Sequence, residues 1–372
     1  MPENQANITT NSKNVPRVAI LVDGEILRNY GTCLRSLFVG LADKSYPGAL
    51  ICPPHKGAGA VLSPAAELIS HPVFQMRLLG YLNKKVLLDK LAKFKPTVLH
   101  CFGSNQARLA KYLARALDIP YVLTFTSQHK GLLKLFIAAN HCAGLVASSN
   151  AIAEQLRKSY RAFADRIKQI NVGTFVEDSC ACFSEPPHLT SLVVAQPLDN
   201  AAGFELLLNA VKHLAVDGYD FTLAIIGRGP AERAIHKTIK SLGLCQIVTV
   251  VPDMQPLRAV FAGGDIFIRF GGATDSDCHL LEAMSVGMAV AACGNGSCEL
   301  LVENQTAVFF DSHDELSIYS CLQKLLGKRE FARQLAMAGQ NYLREHHSVS
   351  IMVESLLETY NNAQQWYKDS AD

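Results

Sequence analysis

Short, nearly continuous apolar stretches alternate along the chain with longer stretches whose apolar residues recur at helical spacing. In the first half, the continuous stretches predict buried strands at 17–22, 48–52, 97–101, 121–125, 143–147 and 167–171. Helical spacing predicts helices at 31–41, 73–94, 105–116, 132–139 and 150–159. Because the strands are continuously apolar, they favour a parallel sheet that is covered on both faces by helices.

The same alternation starts again in the second half of the chain. Strands are predicted at 192–195, 222–226, 247–251, 266–268, 289–292 and 307–310. Helices are predicted to begin near Gly203, Ala231, Gln255, Cys278 and Asp314, and two or three more to lie between 329 and 368. A chain of 372 residues exceeds what one hydrophobic core usually organises, so we expect two domains.

These patterns predict five segments. Residues 1–15 are expected to be a disordered lead-in, because they are polar and lack an apolar targeting stretch. A first domain follows at 16–182 and a second at 189–350. They are joined by a linker at 183–188, where two prolines stand in a polar stretch. A terminal helix at 351–372 contains Trp366, the single tryptophan.

Composition narrows the class of protein. The net charge is +2, and no basic tract with interleaved aromatic residues is present, so nucleic acid is not an expected partner. Several of the eleven cysteines (Cys101, Cys142, Cys245, Cys293 and Cys298) stand in or beside apolar stretches that read as core strands. No signal peptide precedes them, so we predict reduced thiols and a cytoplasmic location. His100, His129 and His141 lack the spacing of metal ligands, so no metal is predicted.

Two loops are candidates for ligand binding. Gly227-Arg228-Gly229-Pro230 follows a predicted strand and opens a helix, whose free N–H groups would attract phosphate. The alternative is an ordinary turn between strand and helix. The second loop, 271–277, leads into a helix that contains Glu282. Both loops leave the carboxyl ends of predicted parallel strands, where doubly wound folds bind ligands.

The second half of the chain resembles the donor domain of glycosyltransferase family four over about 192–345. The resemblance rests on the stretches IIGRGPAERAIHKTIKSLGL, AVFAGGDIFIRF and LLEAMSVGMAVAACGNGSCELLVENQTAVFF. VLHCFG, IPYVLTFT and AGLVASSNAIAEQL have weaker equivalents in the acceptor domain of that family. The resemblance implies an α/β protein with the GT-B fold: two facing, Rossmann-like, doubly wound domains with a C-terminal helix that crosses back to the first domain.

The resemblance also implies roles for individual residues. Glu282 matches the glutamate that accepts hydrogen bonds from the nucleotide ribose, a role that suits an ionised carboxylate. Gly227 and Gly229, with Arg228 and Pro230 in the same loop, match the segment near the nucleotide. Gly31 resembles the glycine loop that faces the donor phosphates. Glu299 matches a further glutamate of the family.

Several positions depart from the family pattern. Thr274 stands where the family has its first glutamate, and Asp275 and Asp277 are the neighbouring carboxylates that would lie by the sugar. The arginine and lysine that hold the diphosphate are replaced by Pro197 and Ala202. Charge-assisted hydrogen bonds to phosphate are each worth about 1.5–3 kcal/mol, so the loss of both cations matters.

The acceptor domain departs in one position. Thr126 stands where the family has a histidine, and His129 lies three residues further along the chain. His129 reaches the cleft only if the loop differs from the family pattern. On that condition it is a catalytic candidate together with Thr274, Asp275 and Asp277.

Two hypotheses therefore stand side by side. In the first, the chain is a retaining glycosyltransferase that recruits Arg228, Arg269, Lys130 or Arg35 in place of the missing cations. Arg269 ends a predicted strand, and the alternative for this residue is pairing with Asp265 or solvent. In the second hypothesis, the chain is a non-catalytic GT-B-fold binding or partner subunit. A GT-B-like epimerase or phosphorylase has less support, since no motif for lysine-bound pyridoxal phosphate is present.

The resemblance implies a nucleotide sugar, with UDP-sugar favoured, as co-substrate rather than a resident cofactor. The acceptor stays open between a glycan, a lipid-linked molecule and a protein. Lysines at 84, 85, 90, 93 and 95, interleaved with leucines, form a basic amphipathic segment. Such a segment suggests at most peripheral contact with the inner face of a membrane, and the alternative is a solvated lysine face on a core helix.

Overall fold

The computed structural model describes residues 15–55, 57–72, 77–127, 137, 140–252, 257–270, 277–294 and 298–370. These residues contain two sheets of parallel strands. The first sheet has the strand order β3-β2-β1-β4-β5-β6-β7. Its strands are β1 Val18–Leu21, β2 Gly48–Cys52, β3 Glu67–Ser70, β4 Val98–Phe102, β5 Tyr121–Phe125, β6 Cys142–Ala147 and β7 Ile167–Gln169.

Five α-helices accompany this sheet among the described residues, together with 3-10 turns at Ala58–Val61, Ser104–Gln106 and Arg161–Arg166. All four residues of β1 are buried, as are all five of β2, β4 and β5, so the continuous apolar stretches become central strands. The helices are α1 Gly24–Asn29, α2 Gly31–Asp43, α3 Arg77–Phe94, α4 Ala107–Leu117 and α5 Asn150–Ser159.

The second sheet has the order β10-β9-β8-β11-β12-β13. Its strands are β8 Thr190–Ala195, β9 Phe221–Ile226, β10 Val248–Val251, β11 Ile266–Arg269, β12 Ala289–Cys293 and β13 Val308–Phe310. Its helices are α6 Ala201–Val216, α7 Glu232–Ser241, α8 Arg258–Phe261, α9 Cys278–Ser285, α10 Glu315–Gly327 and α11 Arg329–His346. One further helix, α12 Val349–Asp369, ends the described chain.

The last helix packs against α2 and β6 of the first sheet. Ser348 caps its N-terminus, since the Ser348 side chain accepts a hydrogen bond from the Ile351 N–H. Tyr360, which is fully buried, lies 2.7 Å from Nδ1 of His100 on β4. The other ring nitrogen of His100 lies 2.6 Å from Oγ1 of Thr124 on β5. A buried polar network therefore joins α12 to the centre of the first sheet.

The segment between the two sheets is held by the fully buried Asp265, which precedes β11. One carboxylate oxygen accepts a hydrogen bond from the Phe183 N–H at 2.6 Å. The other accepts one from the Ser191 N–H at 2.8 Å and lies 3.1 Å from Nε2 of His188. Asp265 is thus fully engaged by the connecting segment, so it is not the partner of Arg269 that the sequence offered as an alternative.

The predicted fold class is confirmed, and the observed elements differ from the predicted ones only at a few places in the chain. The chain forms the helix α1 and the strand β3, which the sequence analysis did not predict. Asp23 caps α1 through a 2.7 Å hydrogen bond from the Ile26 N–H, so a helix begins shortly after the first strand. All eleven cysteines are free thiols, and Cys245 is exposed, although it was predicted to lie in or beside a buried strand. The predicted helix at 132–139 lies almost entirely outside the described residues.

Candidate active site

The candidate site lies where loops leave the carboxyl ends of the strands in both sheets. In each sheet the strand order reverses beside the first strand, between β1 and β4 and between β8 and β11. Such reversals open a crevice in which doubly wound folds bind ligands. At the first reversal, Asn105 donates a 3.0 Å hydrogen bond to Asp23. At the second, the Phe270 N–H donates a 3.1 Å hydrogen bond to Gln196.

A cavity of about 640 Å³, here called the interdomain cavity, has walls from both halves of the chain. Its first wall consists of α1, α2 and the segment from His55 to Val61. Its second wall includes Arg258 at the start of α8 and Glu282 on α9, with Phe175 from the connecting segment between them. Gly31 and Arg35 belong to the first wall, so the structure brings these two predicted residues together with Glu282.

Glu282 is the most unusual side chain in this cavity, because only 3% of the residue is exposed. Its Oε1 atom accepts no hydrogen bond from the residues that the structure describes. Burial raises the pKa of its carboxyl, while the Thr32 hydroxyl, His279 and Arg258 act in the opposite direction. A buried acceptor without a donor is costly, so the site is suited to a ligand that donates a hydrogen bond there.

Arg258 holds the wall beside Glu282 in place. Its Nη2 atom donates hydrogen bonds to the Phe175 carbonyl at 2.8 Å and to Oε1 of Glu177 at 2.7 Å. Its Nη1 atom donates to Oγ of Ser285 at 3.1 Å. Arg258 therefore ties the connecting segment to α9, and its guanidinium is already engaged.

The N-terminus of α2 lies in the first wall of the interdomain cavity. The residue before it, Tyr30, makes no side-chain hydrogen bond to the first turn. Gly31 and Thr32, the first two helical residues, both line the cavity. An uncapped helix N-terminus has N–H donors and a partial positive charge available for an anion.

The loop Gly227–Pro230 is not among the residues that line the interdomain cavity, and its glycines are needed for close packing. A Cβ at Gly227 would lie 2.1 Å from the Gln196 carbonyl oxygen, and a Cβ at Gly229 would lie 2.3 Å from that of Leu198. The Leu198 N–H donates a 3.0 Å hydrogen bond to the Arg228 carbonyl. The two glycines thus allow the loops after β8 and β9 to pack against each other.

Arg269 and Asp277 pair with each other. Nε of Arg269 lies 2.6 Å from Oδ2 of Asp277, although this N–H is not aligned for a hydrogen bond. Nη1 of Arg269 also donates to Gln196 at 3.0 Å. Oδ1 of Asp277 caps α9 by accepting from the N–H groups of His279 and Leu280 at 3.1 and 3.2 Å. Both side chains are therefore engaged within the second half of the chain.

Three of the predicted catalytic residues, Thr274, Asp275 and His129, lie outside the described residues, as does Lys130. Thr126 follows β5, and its hydroxyl lies close to Tyr30. Burial raises the pKa of that tyrosine above its ordinary value, and the Thr126 hydroxyl is close enough to act in the lowering direction. Ala202 begins α6, and its N–H donates a 3.0 Å hydrogen bond to the Asn200 side chain.

Sequence reasoning missed Arg28, Thr32 and Arg258, which line the interdomain cavity with Glu282. Arg28 lies on the unpredicted helix α1, and Arg258 follows a stretch that no motif distinguishes. Among the described residues there is no cluster of His, Cys, Asp or Glu that could hold a metal ion. No helix in the described part of the chain is long and apolar enough to cross a membrane.

Comparison with solved structures shows a shared fold. The chain is similar to a glycosyltransferase from Rickettsia africae ESF-5, with a TM-score of 0.75 and 15% identity, covering 94% of this chain and 99% of that one. It is also similar to Alr3699/HepE from Anabaena in complex with UDP and glucose. That match has a TM-score of 0.74 and 14% identity and covers 92% and 99% of the two chains.

Two curated proteins match parts of the chain. Sulfoquinovosyl transferase SQD2 from Arabidopsis thaliana is 23% identical over 284 residues, which are 70% of this chain and 55% of that protein. Xylulose kinase from Mus musculus is 30% identical over 158 residues, which are 41% of this chain and 28% of that protein. The chain thus spans about half the length of the first relative and less than a third of the second.

A family model described as "Glycosyl transferases group 1" matches residues 190–328, the part that contains β8 to β13 and Glu282. This agrees with the family indicated by the sequence motifs and with the two-sheet architecture of the solved structures. Residues 190–328 match the glycosyl transferases group 1 family, and the chain has the GT-B fold that it shares with the solved glycosyltransferase structures.

Proposed function

We propose that this chain is a retaining glycosyltransferase that transfers a sugar from a nucleotide-sugar donor to an acceptor in the interdomain cavity. The observation that carries the proposal is Glu282, a buried carboxylate whose Oε1 atom lacks a hydrogen-bond donor among the described residues and which lines that cavity. A ribose supplies two adjacent hydroxyl donors, so it would satisfy this oxygen. The ionised form of Glu282 is acceptor-only, as this role requires.

The proposed donor is a UDP-sugar. The Anabaena protein was solved with UDP and glucose and also with UDP-glucose, and its chain overlaps almost all of this one. The acceptor stays open between a glycan, a lipid-linked molecule and a protein. Val39 and Phe175 line the interdomain cavity and are 39% and 48% exposed, so an acceptor with an apolar group would bury surface there.

The first experiment is calorimetric titration of the chain with UDP, GDP and ADP, alone and as glucose or mannose conjugates. We expect one nucleotide to bind, and Glu282→Gln to weaken it by about 10- to 100-fold, as loss of charge-assisted hydrogen bonds predicts. Glu154→Gln, at an exposed position on α5, is the matched control and should leave affinity unchanged. Equal affinity of wild type and Glu282→Gln would contradict the assignment of Glu282.

A non-catalytic GT-B subunit is the second candidate. It is favoured by the residues at the positions where the family has its catalytic and diphosphate-binding side chains. Pro197 and Ala202 provide no cation, and Thr126 provides no imidazole. Binding of a nucleotide without turnover of any nucleotide sugar would favour this candidate. Release of UDP from a UDP-sugar, abolished by Glu282→Gln but not by Glu154→Gln, would exclude it.

We also propose peripheral contact with an anionic membrane through α3 and α4. Residues 83–118 contain eight Lys and Arg side chains against two Asp, although the net charge of the whole chain is only +2. Lys84 lies 4.9 Å from the ring centre of Tyr112, which joins the two helices, and Val86 is 48% exposed between lysines. A basic face with an exposed apolar residue complements anionic headgroups.

Sedimentation with vesicles tests this contact. We expect binding to phosphatidylcholine vesicles that contain 30% phosphatidylserine, weaker binding in high salt, and none to neutral vesicles. Reversal of Lys85, Lys90 and Lys93 to glutamate should abolish it, whereas reversal of exposed Lys237 and Lys240 on α7 should not. Equal binding of both variants would contradict the proposal.

A further inference from the structure

The arginine side chains that line the interdomain cavity differ in whether they form hydrogen bonds or ion pairs with other described residues. Arg258 is occupied by Glu177, Ser285 and the Phe175 carbonyl. Arg28 on α1 and Arg35 on α2 also line the cavity, and neither forms a hydrogen bond or an ion pair with the described residues. Two exposed guanidinium groups in the first wall of the cavity are therefore available to an anion.

Other candidate cations are less suitable. Arg269 is held by Asp277 and Gln196. Arg228 is exposed and is not among the cavity-lining residues. The loop after β8 provides only Pro197 and, at the start of α6, the methyl group of Ala202. Among the described residues that line the cavity, the guanidinium groups without a protein partner thus belong to the first domain.

The uncapped N-terminus of α2 lies between these two arginines in the sequence. Gly31 and Thr32, its first residues, line the same cavity, and Arg35 lies one helical turn further along. A helix N-terminus flanked by arginines favours phosphate oxygens. The second, independent sign of a ligand is Glu282, which is 97% buried and has an Oε1 atom without a donor among the described residues.

We propose that Arg28 and Arg35, with the N-terminus of α2, bind the diphosphate of the nucleotide while Glu282 binds its ribose. The first domain then supplies the positive charge that Pro197 and Ala202 cannot. This inference rests on the proposed function, because it identifies the phosphate-binding residues of the same site. The ligand class that fits both ends of the cavity is a nucleoside diphosphate or its sugar conjugate.

The test separates binding of the phosphates from binding of the nucleoside. Arg28→Gln, Arg35→Gln and the double variant are titrated with UDP and with uridine at 50 and 200 mM NaCl, and with the GDP and ADP pairs. We expect each single variant to weaken diphosphate binding about 10-fold or more, with no change for the nucleoside. The double variant should also show a smaller salt dependence, because fewer charges remain to be screened.

Controls make each outcome decisive. Arg28→Lys and Arg35→Lys keep the charge and should retain more affinity than the Gln variants, and Arg233→Gln, at an exposed position on α7, should have no effect. Diphosphate binding by wild type that is unchanged in the double variant would overturn this inference and leave the proposed function standing. No binding of any nucleotide or nucleoside by wild type would overturn both.

Discussion

His100 makes the attachment of the last helix sensitive to acid. Its side chain is fully buried on β4, between the Tyr360 hydroxyl of α12 at 2.7 Å and the Thr124 hydroxyl of β5 at 2.6 Å. Burial lowers the pKa of His100 from 6.5 to about 3, because the charged imidazolium would lose its hydration. The neutral ring is therefore the form that the folded chain accommodates.

Acid destabilises the folded chain, because the pKa of His100 is lower in the folded than in the unfolded chain. Between pH 6.5 and about 3 the unfolded chain binds a proton at His100 that the folded chain does not. Stability from this group is thus fully present above pH 6.5 and is lost as the pH falls towards 3. At about 1.4 kcal/mol per pH unit, the full interval corresponds to about 5 kcal/mol, and the fall from pH 7.5 to 4.5 to about 3 kcal/mol.

Trp366 provides the assay. It is the single tryptophan, it lies on α12, and its ring lies 4.9 Å from the Arg166 guanidinium of the first domain. Its fluorescence therefore reports the detachment of α12. Urea unfolding of wild type and His100→Gln is measured at pH 7.5, 6.5, 5.5 and 4.5. We expect the wild type to lose about 3 kcal/mol more than the variant over this range.

Two controls isolate His100. Tyr360→Phe removes one hydrogen bond, at a cost of about 1 kcal/mol, but leaves the buried imidazole, so its pH dependence should match that of wild type. His236→Gln changes an exposed histidine on α7 and should also match. If the free energies of unfolding of wild type and His100→Gln differed by the same amount at every pH, burial of this ring would not be the cause.

Three further predictions concern the second half of the chain. Glu282→Gln should raise the unfolding midpoint at pH 8, because burial raises the pKa of this carboxyl and the ionised form is costly in the folded chain; a lower midpoint in thermal denaturation would contradict this. Gly229→Ala should lower the free energy of unfolding in urea by about 1–3 kcal/mol, because its Cβ would lie 2.3 Å from a backbone carbonyl oxygen. Gly59→Ala, whose Cβ would have nothing within 4 Å, should have little effect. Asp277→Asn should keep the cap of α9 but lose the ion pair with Arg269. We expect urea unfolding to show a destabilisation of about 1–3 kcal/mol and calorimetry to show no loss of nucleotide affinity.

The secondary structure could be predicted where a single pattern decided it. The strands β2 and β5 and the helix α5 agree with the predicted bounds, because continuous burial and regular helical spacing are visible in the sequence. The strand β3 was missed because it is short and lies at the edge of its sheet, where Leu68 is 40% exposed. The helix α1 was missed because it is only six residues long, although Asp23 is a good N-cap.

The site was less predictable, because it depends on contacts between distant parts of the chain. Glu282 was identified from a motif, but its burial and its unpartnered oxygen follow from packing that the sequence does not reveal. Arg258 contacts Glu177, 81 residues away, and no local pattern predicts that pair. Arg269 ends its strand as predicted, yet its partner is Asp277 on the next helix rather than Asp265.

The helix α9 explains why nucleotide binding and catalysis must be tested separately. Asp277 caps this helix and pairs with Arg269, while Arg258 is hydrogen-bonded to Ser285 at its other end. Glu282, between the two ends, is thus held in the cavity by contacts that are independent of any reacting group. Affinity for a nucleotide therefore tests the binding site alone, because it does not depend on any group that acts on the sugar. Turnover of a nucleotide sugar tests the chemistry, because only the enzyme needs groups that act on the sugar.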